Sequence, residues 1–222
     1  LPEKITSKRD QTELHLSNAL GWHIDEIDKE FLIVSPYFVL TDEGIEFLLE
    51  LEKRGAQVKV VTNSLASSDV SIVHAGYKPT RKALLQGGVE LYEIKAGLAS
   101  NEQVNKRSFG SSKASLHAKT FVIDRESFFV GSLNLDPRSF TENTEIGMLI
   151  YSKKVSQALG VWFDSELSDI AYTLVWDEQE NEIKWLDQNK GDITTYTYDP
   201  GTSWWLRRWV DFLSLFPIES QL

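Results

Sequence analysis

The sequence contains no cysteine and a single methionine, Met148. Without thiols the chain can form no disulfide, offer no cysteine nucleophile and hold no thiolate-bound zinc, and their absence fits a reducing compartment. Long hydrophobic runs are also missing. The most apolar stretch, Phe31–Leu40, is broken by Ser35 and Pro36 and falls well short of the roughly 20 residues that cross a bilayer as a helix. Bases are scarce: 23 Lys and Arg stand against 33 Asp and Glu, a net charge of −10. The imbalance is local, because 12 acids face 4 bases from Val161 onward. No segment shows the one-sided basic stripe of a nucleic-acid footprint, which argues against nucleic acid as the partner. The chain begins at Leu1 rather than Met, so a preceding part, with any signal or anchor it carries, is expected to be missing.

What remains is an ordinary globular mixture of 222 residues, 41% hydrophobic and 25% charged, long enough to bury a core unaided. Apolar positions in Gln11–Asp28 recur with helical period. Phe31–Val34, Val58–Thr62 and Val89–Ile94 read as buried strands. The first two flank a helix that Thr41 or Asp42 can cap and Gly55 can end. A turn-rich loop over Asn63–Gly76 and a helix around Lys78–Gln86 precede the third. This alternation predicts an α/β fold with helices covering a sheet. Lys95–Ser115, rich in Ser, Gly, Asn and Lys, reads as a mobile loop. Leu116–Asp124 and Ser127–Leu133 read as strands joined by a tight turn. Another strand over Glu145–Tyr151, a helix over Val155–Ile170, three short strands and a Trp-rich helix over Ser203–Phe216 complete the chain.

The chemistry concentrates around His117, the only one of four histidines followed two residues later by lysine. On a strand, residues two apart share a face, so His117 and Lys119 project together, as do Ser132 and Asn134 on the next strand. An imidazole, an ammonium, a hydroxyl and a carboxamide then converge on one volume. That set suits a phosphodiester: Lys119 and Asn134 to hold non-bridging oxygens, His117 to attack phosphorus as a neutral imidazole. An attacking imidazole needs its second nitrogen fixed, commonly by a carboxylate. Asp124 lies an odd number of positions from His117 and should face away as a structural hydrogen-bonding group, which favours Glu145 as the orienting group. Gly131 would permit close backbone approach at the strand's end.

Leu116–Asn134 resembles, at every position, the HxKx4Dx6GSxN signature of the phospholipase D superfamily. The resemblance implies that His117 is the nucleophile, that Lys119 and Asn134 bind phosphate, that Glu145 supports the histidine, that Asp124 and Ser132 complete the catalytic set, and that no metal or other cofactor takes part. A wider resemblance, carried by Val34–Phe38, Val73–Tyr77, Val89–Glu93, Asn134–Ser139 and Leu215–Glu219, is to bacterial cardiolipin synthases, those of the C type in particular. It implies phosphatidyl transfer between phospholipids at the surface of the bacterial inner membrane, with the protein peripheral on its cytoplasmic side. Members carry two such motifs, and this sequence has one. The expected partner is therefore a missing N-terminal domain with the first motif, or a second copy of the chain. The fold expected is a phospholipase D-like sandwich, a mixed sheet flanked by helices. Residues 1–170 would form the catalytic half-domain and 171–222 a small appendage of strands and helix.

Four further residues are candidates for substrate binding. Tyr37 follows the first strand, Arg138 follows the motif by four residues and can clamp a phosphate, and His74 and Tyr77 lie in a polar loop that could line a headgroup pocket or simply be fastened by its own hydrogen bonds. The terminal helix combines Trp with Arg as interfacial helices do. Packing on the domain's own core, or on the missing domain, is the alternative. A hydrolase or endonuclease of the same superfamily, or a non-catalytic half-site, are the rival functions.

Overall fold

The computed structural model describes residues 26–97, 116–189 and 191–216. Most of the helix expected over Gln11–Asp28 and of the loop expected over Lys95–Ser115 lies outside them. Strand β1, Glu30–Val34, is an interior strand of the sheet, and all five of its residues are buried. Helix α1, Asp42–Arg54, follows. The Thr41 hydroxyl accepts from Gly44 N, acids fill the first turn and bases the last, and Gly55 ends the helix at φ 96°, each a favourable match of residue to position. Strand β2, Gln57–Asn63, runs parallel to β1. Helix α2, Ser71–Tyr77, a 3₁₀ turn at Lys78–Thr80 and helix α3, Arg81–Gln86, lead to β3, Glu90–Ile94, parallel to β2.

On the other side of β1 the sheet turns antiparallel through β4 (Thr120–Ile123), β5 (Ser127–Gly131) and β6 (Gly147–Tyr151), with a short helix α4, Pro137–Thr141, between the last two. Helices α5 (Lys153–Ser165) and α6 (Leu167–Ile170) return the chain to β7 (Ala171–Asp177), which pairs with β3. Strands β8 (Glu182–Asn189) and β9 (Asp192–Tyr196) follow. Helix α7, Trp204–Leu213, comes after them. The resulting order is β6-β5-β4-β1-β2-β3-β7-β8-β9. The three C-terminal strands thus extend the main sheet itself, at the Ile94–Ala171 pairing.

Strand alternation divides the core in two. Phe31, Ile33, Val58, Val60, Phe121 and Ile123 meet Leu48 and Leu51 of α1 and Leu84 of α3. Leu32, Val34, Val61 and Val122 meet Phe163 and Leu167 on the opposite face. Each such side chain contributes about 1.5–3 kcal/mol on burial. Two short helices escape the sequence reading. Residues of α2 were expected in a loop, yet Val73–Tyr77 are all buried. Its β-branched residues and glycine are poor helix formers, so packing rather than propensity holds it.

Candidate active site

The turn between β4 and β5 sets the motif's register. Asp124 and Arg125 both adopt the left-handed region, φ 51° and 54°, and Glu126 N donates to Ile123 O at 3.0 Å, a mirror-image turn suited to a twisted hairpin. Side chains hold this unusual geometry. The Asp124 carboxylate accepts from the backbone N–H groups of Asp28, Lys29 and Glu30 at 3.1, 2.8 and 2.8 Å. Arg125 pairs with Glu30 at 2.6 Å and with Asp164 at 2.8 Å. Asp124 therefore stands at the far end of β4 from His117, about 20 Å along the extended chain, and ties the hairpin to the start of β1.

His117 and Lys119 occupy the segment that runs into β4, not the strand itself, which starts at Thr120. The path stays extended because Gly131 N donates to Lys119 O at 3.2 Å. The upstream anchor is Asn63, at the end of β2. Its Oδ1 accepts from Leu116 N at 2.9 Å and its Nδ2 donates to Leu116 O at 3.1 Å. One amide thus imitates a strand partner for the residue directly before His117. Ser67 Oγ steadies that amide by donating to Oδ1 at 3.3 Å. Sequence reasoning missed Asn63, because a strand-terminal asparagine looks like any turn residue until its partner 53 positions away is known. Asn63→Ala should lower turnover about 10²-fold by letting the histidine segment drift, while Asn63→Asp, which keeps one bond, should lose less. Steady-state rates beside an unfolding midpoint check this; equal rates for wild type and alanine variant would remove Asn63 from the site.

At the same end of the sheet, β5 and β6 deliver the remaining groups. Ser132 N donates to Ile146 O at 2.8 Å, and the Ser132 hydroxyl accepts from Ile146 N at 3.0 Å while donating to the Glu145 carboxylate. Glu145 is thus present, but its hydrogen bond goes to Ser132 rather than to the imidazole. Gly131 makes this approach feasible: a Cβ there would lie 2.4 Å from Ile146 O. The His117 side chain is exposed and, among the described residues, has no hydrogen-bond partner. Lys119 is buried and donates from Nζ to His117 O at 3.0 Å. Burial lowers its pKa, and Glu145, Asp136 and Asp69 oppose that shift. Among the described residues, Asn134 Oδ1 is buried without a partner.

Tyr37 sits at the rim, where burial and a hydrogen-bonded Asp69 raise its phenol pKa. Asp136 caps α4 by accepting from Ser139 N at 2.8 Å, and burial raises its pKa. The sequence reading missed this helix, although an aspartate directly before a proline is a signal for a helix start. Arg138, within α4, is exposed. The site's charge is one-sided: Lys119 stands among Asp69, Asp136 and Glu145.

His74 and Tyr77 do not line a headgroup pocket. Both are 2% exposed. His74 Nε2 accepts from Arg81 Nη2 at 2.6 Å, and Arg81 also meets Asp199 at 2.9 Å and Glu93 at 2.8 Å. The Tyr77 ring lies 4.8 Å from the guanidinium. Burial and the nearby guanidinium hold His74 at a pKa of about 4, so it is neutral, whereas burial raises Glu93 to about 6. These shifts make stability depend on pH. Below 6.5 the unfolded chain protonates His74 and the folded one does not until about pH 4, so His74 alone removes on the order of 3 kcal/mol as pH falls across that window. Glu93 acts oppositely, since the folded form takes its proton near pH 6 and the unfolded form near 4.5. The two nearly cancel between those values. His74→Gln should therefore gain stability relative to wild type as pH falls from 6.5 to 4. Urea midpoints at both pH values test this, and parallel curves would refute it.

The comparisons with known proteins agree with this geometry. Residues 22–167 match the family described as "Cardiolipin synthase, PLD-like domain". The chain is 42% identical over 205 residues to cardiolipin synthase C of Escherichia coli, covering 92% of this chain and 42% of that relative's length. Among solved structures it resembles a phospholipase D family member, Nuc, from Salmonella typhimurium, with a TM-score of 0.53 and 17% identity over 72% of this chain and 90% of that one. Phosphatidylserine synthase of Haemophilus influenzae gives a TM-score of 0.54 and 15% identity over 72% of this chain and 36% of that one. At such identities these structures speak for the fold alone. A family match over most of the chain, on a sheet that gathers one uninterrupted His-Lys-Asp signature, places this protein in the cardiolipin synthase-type, phospholipase D-like family.

Proposed function

We propose that the chain supplies one half of a phosphatidyl-transfer site working through a phosphohistidine at His117. What supports this reading is that the segments carrying His117 and Lys119, Ser132 and Asn134, and Glu145 run side by side at one end of the sheet: Gly131 N donates to Lys119 O, Ser132 bonds Glu145, and the Glu145 charge acts on Lys119. The exposed imidazole attacks phosphorus and the P–O bond to the leaving alcohol breaks. Lys119 turns from its carbonyl partner to a non-bridging oxygen, and the Asn134 amide steadies the phosphoryl group. Glu145, held by Ser132, supplies the negative field that orients and stabilises the imidazole ring. A second lipid's hydroxyl then takes the phosphatidyl group from the histidine. Tyr37 and Arg138 would bind headgroup oxygens.

Among the described residues one ammonium, Lys119, stands with three carboxylates, too little positive charge for an anionic diester. A second motif, in another domain or a second copy of the chain, would add its own lysine and the histidine that protonates the leaving alcohol. The chain spans 42% of the length of its E. coli relative, which leaves room for such a domain. The substrates are phospholipids, and the protein works at the cytoplasmic surface of a bacterial inner membrane. Among the described residues no helix is long and apolar enough to cross one. Labelled phosphatidylglycerol given to the protein should yield a doubly phosphatidylated product and free glycerol. Phosphatidic acid alone would point to hydrolysis, cleaved DNA to the nuclease rival, and no reaction under any pairing to an inert half-site.

A further inference from the structure

Helix α7 is apolar on two sides. Leu206, Val210 and Leu213 pack against Leu65, Ile72 and Ala75, beneath and along α2. The opposite side presents Trp204, Trp205, Trp209 and Phe212 to solvent, continued by Leu215 and Phe216. Trp205 is 76% exposed. These rings touch one another: Trp204 and Trp205 at 4.6 Å between centroids, Trp209 and Phe212 at 6.0 Å, Phe212 and Phe216 at 5.1 Å. An exposed aromatic band of this extent marks a contact surface.

We propose that this face of α7 lies in the interfacial layer of a bilayer containing anionic lipid and holds the His117 site at headgroup level. This inference rests on the lipid-substrate reading above. Three features select a membrane over another occupant. Three indoles within six residues belong to the chemistry of the headgroup boundary, where an apolar ring and a polar N–H are both accommodated. The charge is complementary: Lys78 and Arg208 both pair with Asp211, and Arg207 on the same helix donates to Thr202 O, in a chain of net charge −10. Arg208 is exposed and sits 5.7 Å from the Trp204 ring, placed to snorkel toward phosphate. Position also fits. Helix α2, on which α7 packs, begins two residues after Asp69, whose charge acts on the Tyr37 phenol at the site's rim, and its Tyr77 ring packs on Phe38 at 5.8 Å.

The test is flotation of the full chain with vesicles of phosphatidylcholine alone or mixed equally with phosphatidylglycerol, together with quenching of tryptophan emission by brominated acyl chains. The chain should float with the anionic vesicles and be quenched. Trp204→Ser/Trp205→Ser/Trp209→Ser should weaken binding at least about tenfold with an unchanged circular dichroism spectrum, and Trp205→Ser alone provides a milder variant should the triple one misfold. Arg208→Glu should weaken binding to the anionic vesicles only. Undiminished flotation of the tryptophan variants, absence of quenching, or a lipid-independent dimer dissolved by Trp205→Ser would overturn the proposal, the last by making the face a contact between copies. Vesicle binding is read without turnover: a chain that floats but transfers nothing refutes the functional reading alone, and one that transfers without floating refutes only the docking.

Discussion

His117→Ala should abolish covalent phosphorylation of the protein and reduce any diester cleavage by about 10⁴-fold or more, the scale seen when an enzyme loses its nucleophile or its base. The same replacement should barely touch stability, within about 0.5 kcal/mol, because the imidazole is exposed and bonds no other described group. That combination separates a chemical role from a structural one. Lys119→Ala should be less clean. Its ammonium is buried and holds the His117 carbonyl, so both rate and local order should suffer. A diester with a nitrophenolate leaving group makes the first step accessible to this chain alone, since so stable an anion departs without a general acid. Retention of diester cleavage by His117→Ala would move the nucleophile elsewhere.

Arg81→Met should cost about 3–5 kcal/mol of folding stability, the usual result of removing one partner from a buried ion pair. The guanidinium is 1% exposed, and its acidic partners Glu93 and Asp199 are 0% and 5% exposed. Burial opposes every one of these charges, yet Arg81 holds Asp199 below the usual carboxylate range. Without Arg81 both carboxylates would be stranded in the core. The network also spans layers: Arg81 begins α3, Glu93 lies on β3 and accepts from Trp185 Nε1 of β8 at 2.9 Å, and Asp199 follows β9. Its loss should therefore loosen the attachment of the C-terminal strands. Urea unfolding measures the effect. Neutralising the stranded acids in Arg81→Met/Glu93→Gln/Asp199→Asn should recover part of the loss, whereas a single-variant cost below about 1 kcal/mol would show that the charges do not depend on one another.

The parts of this structure that were legible in the sequence are those governed by local spacing. The helix between Thr41 and Gly55, the apolar strands at the centre and the tight turn at Asp124–Arg125 all follow from periodicity and cap or turn chemistry. That Asp124 would be a structural hydrogen-bonding group was expected from its position at the turn, but its partners, the N–H groups of Asp28, Lys29 and Glu30, were not. What escaped depends on distant pairings. Asn63 gains its role only from Leu116, and the reading of His74 and Tyr77 failed because Arg81, Glu93 and Asp199, scattered over more than a hundred positions, close around them. A histidine two residues before a glycine, after a turn-rich stretch, looks like a loop until those charges arrive. Glu145 bonds the Ser132 hydroxyl, and which hydroxyl or ring it would bond was beyond any spacing rule. The C-terminal strands were visible individually, while the pairing of β7 with β3, which makes all three part of the main sheet, was not.

The central claim is that His117 becomes covalently joined to phosphorus, and the most direct measurement is peptide mass analysis of the chain after rapid mixing with a nitrophenyl phosphodiester. The account predicts a burst of nitrophenolate no larger than one per chain and a phosphoryl-ester adduct on the peptide that contains His117, stable to base and lost in acid. An adduct on Ser132, or steady release of nitrophenolate with no adduct on any residue, would contradict it.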